Sequence, residues 1–430
     1  MDLEAGSLPA ASMVQPVARR IRWNSFWLLL ARMLTQAQLV LFTVLVARGL
    51  GVAGFGQYAF VAALIFLGNV ATTFGTDTLL IREVARTRRA GDGLIPATLW
   101  IQLTLSLAWL IVIGIGADNT LAGQSPEVVL PLKVYSLSLI PLAFFTVFTA
   151  VLRAHERMNV YLLLNVLVVF VQLGGTWLVL QKPGNLLSLV MLLNVVQLIA
   201  AVSAGALCHI ALPAFRFNWA VTRRQFMRVL RLAWPFALLS VLAVIYQRLG
   251  ILMLSALGSE AQAGWFAAAT RVIEPVKLLH FAVLGALLPA LAHLTAQDVV
   301  SQQTQVAMLV YRRSLLFLLL FSALAAVIFS ALAQPIVTLL FGASFAGSAS
   351  PVQILALSLI PYTLSASLAV RLVTQGKERR VLCATALSLA AEFFLNRWLI
   401  PDAGSNGAAL AVVISESLLA GTMLVLRRRC

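Results

Sequence analysis

The stretch "VLAVIYQRLGILMLSALG", Val241–Gly258, is apolar enough for the interior of a lipid bilayer, yet it contains an arginine. At about 1.5 Å per residue, Arg248 lies roughly 15 Å from the Gly258 end of a helix formed by this stretch. That depth is near the midplane of a hydrocarbon core about 30 Å thick. Because a charge at this depth costs from about 2.5 to over 10 kcal/mol, Arg248 is predicted to serve a function.

The composition indicates that the whole chain is embedded in a membrane. Of its 430 residues, 61% are hydrophobic and 11% are charged, and the mean hydropathy is +0.95. A soluble domain needs more polar surface than these values allow, which predicts an all-α integral membrane protein with several spans. The first apolar run, from Trp23 to Val46, is too long for the core of a signal peptide. It is therefore expected to remain in the membrane as an anchor.

Apolar runs of bilayer length alternate with short polar breaks, and their number predicts twelve transmembrane helices. The predicted spans are 23–47, 55–81, 94–117, 129–151, 159–180, 186–212, 232–257, 263–292, 313–333, 350–372, 381–400 and 406–426. An even number of spans places both termini on the same side of the membrane.

The basic residues indicate which side that is, because cytoplasmic loops carry an excess of Lys and Arg. With a cytoplasmic N-terminus, twenty-two basic residues fall on the cytoplasmic side and three, Arg48, Lys133 and Lys182, on the other. This asymmetry predicts that both termini are cytoplasmic. The net charge of +16 then reflects loops that face an anionic membrane surface, and no nucleic-acid partner is expected.

The chain divides into two halves of six spans. The predicted parts are a cytoplasmic N-terminal segment (1–22), an N-terminal six-helix lobe (23–212), a basic cytoplasmic linker (213–231) and a C-terminal six-helix lobe (232–430). The segments "RGLGVAGFGQYAFVAAL" (Arg48–Leu64) and "SALGSEAQAGWFAAATRV" (Ser255–Val272) resemble each other and occupy equivalent places in the two halves. Such duplication is common in transporters and predicts parallel repeats, related by a pseudo-two-fold axis, around a central cavity.

The start of the chain carries a further resemblance. The segment "ARGLG" (Ala47–Gly51) is followed by "GFGQY" (Gly54–Tyr58) at the start of the second helix and by "REVAR" (Arg82–Arg86) at its end. On these motifs the chain resembles the bacterial polysaccharide flippases of the O-antigen transporter type. That family belongs to the multidrug/oligosaccharidyl-lipid/polysaccharide exporter (MOP) superfamily.

The resemblance implies a two-lobed transporter of the bacterial inner membrane that works by alternating access. Its implied substrate is an undecaprenyl-diphosphate-linked oligosaccharide repeat unit, moved from the cytoplasmic to the periplasmic leaflet for O-antigen or exopolysaccharide synthesis. Besides membrane lipids, a polysaccharide polymerase and a chain-length regulator are expected partners. A diphosphate that crosses the bilayer needs a wet, cationic cleft. Arginine suits it, because its guanidinium stays protonated and binds two phosphate oxygens at once.

Among the basic residues inside the spans, four are candidate substrate-binding residues: Arg32, Arg248, Arg271 and Lys277. Arg32 and Arg248 lie on the first and seventh helices, which are equivalent in the two repeats, so both are predicted to line the substrate path. In the alternative interpretation they are structural, and each bonds to carbonyls or to a buried acid. For Lys277, and for His280 three residues later, the structural interpretation is favoured. Arg371 and Arg397 lie close to span ends, where their side chains can extend to the lipid headgroups.

Three acids inside the spans, Glu274, Glu392 and Glu416, are candidate ion-coupling residues, because a deeply placed carboxylate suits proton or sodium coupling. Glu274 is the first choice, since it lies three residues from Arg271 and from Lys277. A spacing of three residues is shorter than the helical turn of 3.6 residues, so successive side chains of this series point in different directions around the helix. Some of them must therefore face a cavity or another helix.

No enzymatic site is indicated. The sequence contains no Walker loop, no metal-binding spacing and no supported Ser/His/Asp arrangement, so neither enzymatic activity nor a cofactor is expected, apart from a coupling H⁺ or Na⁺ ion. Two other functions stay open. An ion-coupled multidrug or cation antiporter of the same superfamily would need an acid-lined cleft, and a non-transporting scaffold of a polysaccharide assembly complex would have paired charges and a closed cavity.

Two further kinds of residue inside the spans are of interest. The polar pairs Asn165 with Gln172 and Asn194 with Gln197 have helical spacing and either line the path of the sugar or bond between helices. Two prolines, Pro235 and Pro275, are candidate hinges, because proline frees a backbone carbonyl and bends a helix. Static kinks are the alternative.

Overall fold

The computed structural model describes residues 10–87, 93–119, 126–181, 185–213, 219–295 and 302–428. Within these ranges the regular structure consists of α helices and one short 3-10 helix, and no strand is present. The prediction of an all-α fold is confirmed.

The described residues form fourteen α helices. They are α1 (Ala10–Thr73), α2 (Thr76–Thr87), α3 (Leu94–Asn119), α4 (Pro126–Ser136), α5 (Leu139–Ala154), α6 (Met158–Leu180), α7 (Leu186–Ala211), α8 (Arg223–Leu257), α9 (Glu260–Thr295), α10 (Gln302–Ala331), α11 (Ala333–Phe341), α12 (Ala349–Leu357), α13 (Leu359–Thr374) and α14 (Glu378–Arg428). The 3-10 helix, Ala343–Ser348, precedes α12.

In the described part of the chain, eight helices are long and apolar enough to cross a membrane, or nine if the bent pair α12 and α13 is one span. Two of the eight, Met33–Thr73 and Glu378–Leu426, are 41 and 49 residues long, about twice the length that a bilayer requires. The charged helix α9 is not among them. This count does not reach the predicted twelve, although each predicted span overlaps one of these helices, one arm of a long helix, or α9.

Two glycines divide the longest helices into arms. Gly51 in α1 has a φ of 70° and Gly404 in α14 a φ of 54°, a conformation that residues with a Cβ rarely adopt. Each arm inside the apolar region is near the roughly 20 residues that span a bilayer. The break predicted between the first two spans is therefore a glycine kink within one helix.

The two halves of the chain meet along α1, α8 and α9. Helix α1 packs along α9, and α8 packs along both α1 and α14. The largest buried apolar cluster contains residues of both halves, among them Phe55 of α1, Phe266 of α9 and Phe345 of the 3-10 helix. Burial of these side chains holds the halves together.

One end of this interface is closed by a contact between small residues. A Cβ added at Gly56 would clash with the carbonyl oxygen of Glu260, and a Cβ added at Gly264 would clash with that of Val52. The amide of Gln57 also donates to Glu260 Oε2 across 2.9 Å. Helices α1 and α9 thus make their close contact at the two segments that resemble each other in sequence.

Several helices begin earlier than the predicted spans, and two of them, α8 and α1, begin inside segments that were predicted to be cytoplasmic. Helix α8 starts at Arg223, inside the predicted linker, where Thr222 and Gln225 form a capping box: the Gln225 N–H donates to Thr222 Oγ1, and the Thr222 N–H donates to Gln225 Oε1. Helix α1 starts at Ala10, inside the predicted N-terminal segment. The second half of the linker is therefore helical and continuous with the seventh span.

The two candidate hinge prolines lie within continuous helices. Helix α8 runs through Pro235 and α9 runs through Pro275. Pro275 is exposed, and the side chain of Pro235 lies outside the described residues. Their role as hinges stays a prediction.

Candidate functional site

A cavity of about 930 Å³ lies between the two halves of the chain. Its wall is formed by α1, α6 and α7 of the first half and by α8, α9, α13 and α14 of the second, among other helices. Small-molecule sites span roughly 300–1,000 Å³, so this cavity is at the upper end of that range. It is large enough for a polar head group of several rings.

Two arginines share one carboxylate on the wall of the cavity. Arg271 Nη1 lies 2.6 Å from Glu274 Oε2, and Arg248 Nη1 lies 3.5 Å from Glu274 Oε1. Arg271 and Glu274 are on adjacent turns of α9, whereas Arg248 is on α8. This cluster of two cations and one anion keeps a net positive charge.

Arg248 is held from two sides. Its Cζ lies 4.9 Å from the centroid of the Phe66 ring, which is favourable for a cation over an aromatic face, and Glu274 contacts the guanidinium. The Nε atom is buried without a hydrogen-bond partner. Arg248 therefore pairs with an acid and also lines the cavity, so the two interpretations of its position are compatible.

Lys277 and His280 follow on the same helix but have different surroundings. The Nζ atom of Lys277 lies 4.6 Å from the centroid of the Tyr362 ring, and the residue lines the cavity. His280 is fully buried, and its Nε2 lies 2.8 Å from Ser322 Oγ and 2.7 Å from Thr363 Oγ1. His280 is thus an interior residue with satisfied hydrogen bonds, whereas Lys277 faces the cavity.

Two further acids reach the cavity from α14. Glu392 and Glu416 are 2% and 5% exposed, and both line the cavity. The Ser365 hydroxyl donates to Glu416 Oε2 across 3.4 Å. The cavity therefore has a polar region on α14 in addition to the arginine pair.

The side chain of Arg32 lies outside the described residues, although its backbone belongs to α1. The structure therefore does not describe the predicted pairing of Arg32 with Arg248, and Arg32 stays a sequence-based candidate. The other three candidate substrate-binding residues, Arg248, Arg271 and Lys277, are all on the cavity wall.

Sequence reasoning missed several polar residues of the cavity. Tyr58, Tyr135 and Asn69 line it beside Gln172 and Gln197, the two glutamines for which the sequence left open the path of the sugar or bonding between helices. Tyr58 ends the "GFGQY" motif, which is the signal that marks it. Tyr135 and Asn69 belong to no recognised motif, and only the packing of the helices brings them to the cavity.

Solved structures of similar fold are membrane transporters. A multidrug resistance transporter of the MATE family, in the inward-facing conformation, has a TM-score of 0.70 at 18% identity and covers 92% of this chain and 94% of its own. The lipid II flippase MurJ, in an inward closed conformation, has a TM-score of 0.75 at 16% identity, with coverage of 94% and 87%. A MOP-superfamily transporter from Pyrococcus furiosus has a TM-score of 0.66 at 16% identity, with coverage of 95% for both chains.

These likenesses show that the chain is a multi-pass membrane protein with the fold of the MOP-superfamily transporters. Residues 21–295 match the sequence model of the family described as polysaccharide biosynthesis protein, and the chain belongs to that family. The resemblance drawn from the motifs at the start of the chain is confirmed. No curated protein matches the sequence closely enough to count as a relative.

Proposed function

We propose that the protein is a flippase for undecaprenyl-diphosphate-linked oligosaccharide repeat units. It moves them from the cytoplasmic to the periplasmic leaflet of the bacterial inner membrane, where they supply O-antigen or exopolysaccharide synthesis. The observation that carries this proposal is the arginine pair, Arg248 and Arg271, on the wall of a large cavity that Lys277 also lines. Membership of the polysaccharide biosynthesis family supports the substrate class.

The chemistry of the arginine pair suits a diphosphate. Guanidinium groups bind phosphate oxygens through charge-assisted hydrogen bonds, often two at a time. In the structure Glu274 takes the position of such an anion, because its two oxygens contact Arg248 and Arg271 separately. An arriving diphosphate displaces Glu274 from the arginines, and Glu274 returns when the substrate leaves.

The remaining parts of the substrate determine where it travels. The polyprenyl tail stays in the lipid, while the diphosphate and the sugars cross the membrane through the cavity. With the basic loops in the cytoplasm, as the sequence predicts, the contact between Gly56 and Glu260 closes the periplasmic end. Alternating access then requires this contact to open.

Energy for transport comes from an ion in this proposal. Glu392 and Glu416 are nearly fully buried on α14 and line the same cavity as the arginines. A carboxylate in such a place is costly while charged, and binding a proton or Na⁺ neutralises it. Occupancy of this region by an ion therefore favours one conformation of the C-terminal half over the other.

The flippase is a transporter rather than an enzyme, and other proteins act on the units that it delivers. A polysaccharide polymerase and a chain-length regulator are the proposed partners, because they consume repeat units at the periplasmic side.

A second candidate function is that of an ion-coupled multidrug or cation antiporter. It is favoured by the buried carboxylates Glu392 and Glu416, which line the same cavity. The arginine pair weighs against it, since a cationic drug is repelled by the net positive cluster on α8 and α9. The volume of the cavity likewise weighs against a non-transporting scaffold.

The test is polysaccharide export in cells that carry Arg248→Ala, Arg271→Ala or both. Loss of charged hydrogen bonds of about 1.5–3 kcal/mol predicts at least a tenfold fall in export, with lipid-linked precursor accumulating in the cytoplasmic leaflet. Arg397→Ala is the matched control, because Arg397 is an exposed arginine of α14 that does not line the cavity.

The amount of each variant in the membrane is measured in parallel, so that a folding defect is recognised. Normal export by the folded double variant would contradict the flippase proposal. Normal export together with increased sensitivity to cationic drugs would favour the antiporter instead.

A further inference from the structure

The wall of the cavity is chemically divided between the two halves of the chain. Its charged side chains, in the described part of the chain, are those of Arg248, Arg271, Glu274, Lys277, Glu392 and Glu416, all from the second half. The polar residues that the described first half contributes are uncharged and include Asn69, Gln172 and Gln197. We infer that these three amides form a subsite for the sugar of the transported head group, while the diphosphate binds the arginines. This inference rests on the proposed flippase function.

The three amides are contributed by three different helices. Asn69 is on α1, Gln172 is on α6 and Gln197 is on α7. One of them is oriented by a neighbour: the Gln38 amide donates to Gln172 Oε1 across 2.8 Å. The Thr73 hydroxyl donates to the carbonyl of Asn69 across 2.7 Å, and the same hydroxyl lies 3.1 Å from Asn69 Oδ1. The bond from Gln38 holds the Gln172 amide in place on the wall before a ligand arrives.

The side-chain amide of Gln197 has a hydrogen-bond donor without an acceptor. Its Nε2 atom is buried and has no hydrogen-bond partner, although the residue lines the cavity. Buried amide donors without an acceptor are destabilising, and they are rare in folded proteins. A ligand in the cavity that carries hydroxyl groups supplies the missing acceptor after a small rotation of the side chain.

Neighbouring asparagines on the same helices do not share this position. Asn165 on α6 donates to the carbonyl of Tyr161 across 2.7 Å, and Asn194 on α7 donates to the carbonyls of Val134 and Val190, each across 3.0 Å. Neither asparagine is among the residues that line the cavity. In each polar pair identified from the sequence, the asparagine therefore has a structural role and the glutamine, Gln172 or Gln197, lies on the cavity wall.

Amides suit a sugar for a physical reason. Each amide carries two N–H donors and a carbonyl acceptor, which match hydroxyl groups that both donate and accept. A neutral group also avoids the desolvation cost of a charge, whereas a phosphate is bound better by arginine. Tyr58 and Tyr135 add hydroxyl groups to the same half of the wall. The division of the cavity thus matches a head group with a charged end and a neutral end.

The experiment compares two lipids that differ in the sugar. Purified protein is titrated with undecaprenyl diphosphate and with lipid-linked oligosaccharide extracted from cells that make the polysaccharide. We expect Gln197→Met and Gln172→Met each to weaken binding of the glycosylated lipid about fivefold and to leave binding of undecaprenyl diphosphate unchanged. Asn165→Leu is the control, since Asn165 is on the same helix as Gln172 but off the cavity wall.

The outcomes separate this inference from the proposed function. Equal weakening for both lipids, or no weakening for either, would overturn the sugar subsite while the flippase proposal stands. Failure of the wild-type protein to bind either lipid would overturn both. Two variants are used so that a folding defect in one, recognised by its melting temperature in detergent, leaves the other to decide.

Discussion

Replacing Glu274 by Gln tests whether this carboxylate occupies the place of the substrate phosphate. The substitution removes the negative charge that Arg248 and Arg271 share and keeps the size of the side chain. In the wild-type protein a diphosphate must break the contacts of 2.6 and 3.5 Å before it binds. In the variant these contacts are weak from the start, so the same ligand binds more tightly.

The size of the effect follows from the geometry. Hydrogen bonds to charged groups contribute about 1.5–3 kcal/mol, whereas exposed ion pairs contribute about 0–1 kcal/mol. The side chains of Arg248, Arg271 and Glu274 are 20%, 24% and 36% exposed, which places the cluster between these limits. Because the 3.5 Å contact between Arg248 and Glu274 is long for a hydrogen bond, we assign about 2 kcal/mol of stabilisation to the two contacts together. That corresponds to roughly 30-fold in affinity.

The measurement is the Kd of undecaprenyl diphosphate for purified protein in detergent. We expect Glu274→Gln to lower this Kd about 30-fold and to slow export in cells, because the carboxylate that displaces the phosphate on release is gone. Glu127→Gln is the control, since Glu127 is an exposed acid of α4 outside the cavity. An unchanged or higher Kd in the folded Glu274 variant would show that Glu274 does not compete with the phosphate for the two arginines.

Two further predictions concern conformation and coupling. Gly56→Leu places a side chain against the carbonyl of Glu260 and forces α1 away from α9. The reporter is a cysteine introduced at Ala59, on the cavity wall, in a cysteine-free background. We expect this cysteine to be labelled faster from the periplasmic side in the Gly56 variant. Unchanged labelling would show that this contact does not close the cavity. Glu392→Gln and Glu416→Gln remove the buried acids of α14, so transport in proteoliposomes should no longer respond to an imposed proton or sodium gradient, while binding of undecaprenyl diphosphate persists. A full response to the gradient in both variants would contradict their role in coupling.

Much of the fold could be predicted because the bilayer constrains each span separately. A span needs about 20 apolar residues, and this requirement is met or broken locally. The predicted sixth span, 186–212, accordingly agrees with α7, Leu186–Ala211. The prediction was less good at the start of α8, because basic residues lower the hydropathy of 223–231 while the capping box at Thr222 still begins a helix there.

The candidate site was only partly predictable, because helical periodicity does not reveal which helix packs against which face. The structural interpretation was favoured for both Lys277 and His280, yet only His280 bonds to Ser322 of α10 and Thr363 of α13, whereas Lys277 lines the cavity. Gln197 and Asn194 are equally polar and nearly adjacent on α7, but only Gln197 is on the cavity wall. These differences depend on neighbouring helices that are distant in sequence.

The amino-acid sequence was sufficient to recognise a helical membrane protein of the polysaccharide biosynthesis family, and it indicated which deep charges needed a partner. It did so because hydropathy and short motifs are local properties of the chain. Only the packed structure shows that Arg248 and Arg271 share Glu274, that Lys277 lines the same cavity and that the polar residues contributed by the described first half are uncharged. That arrangement results from the rotation and packing of helices from both halves of the chain, which local patterns do not specify.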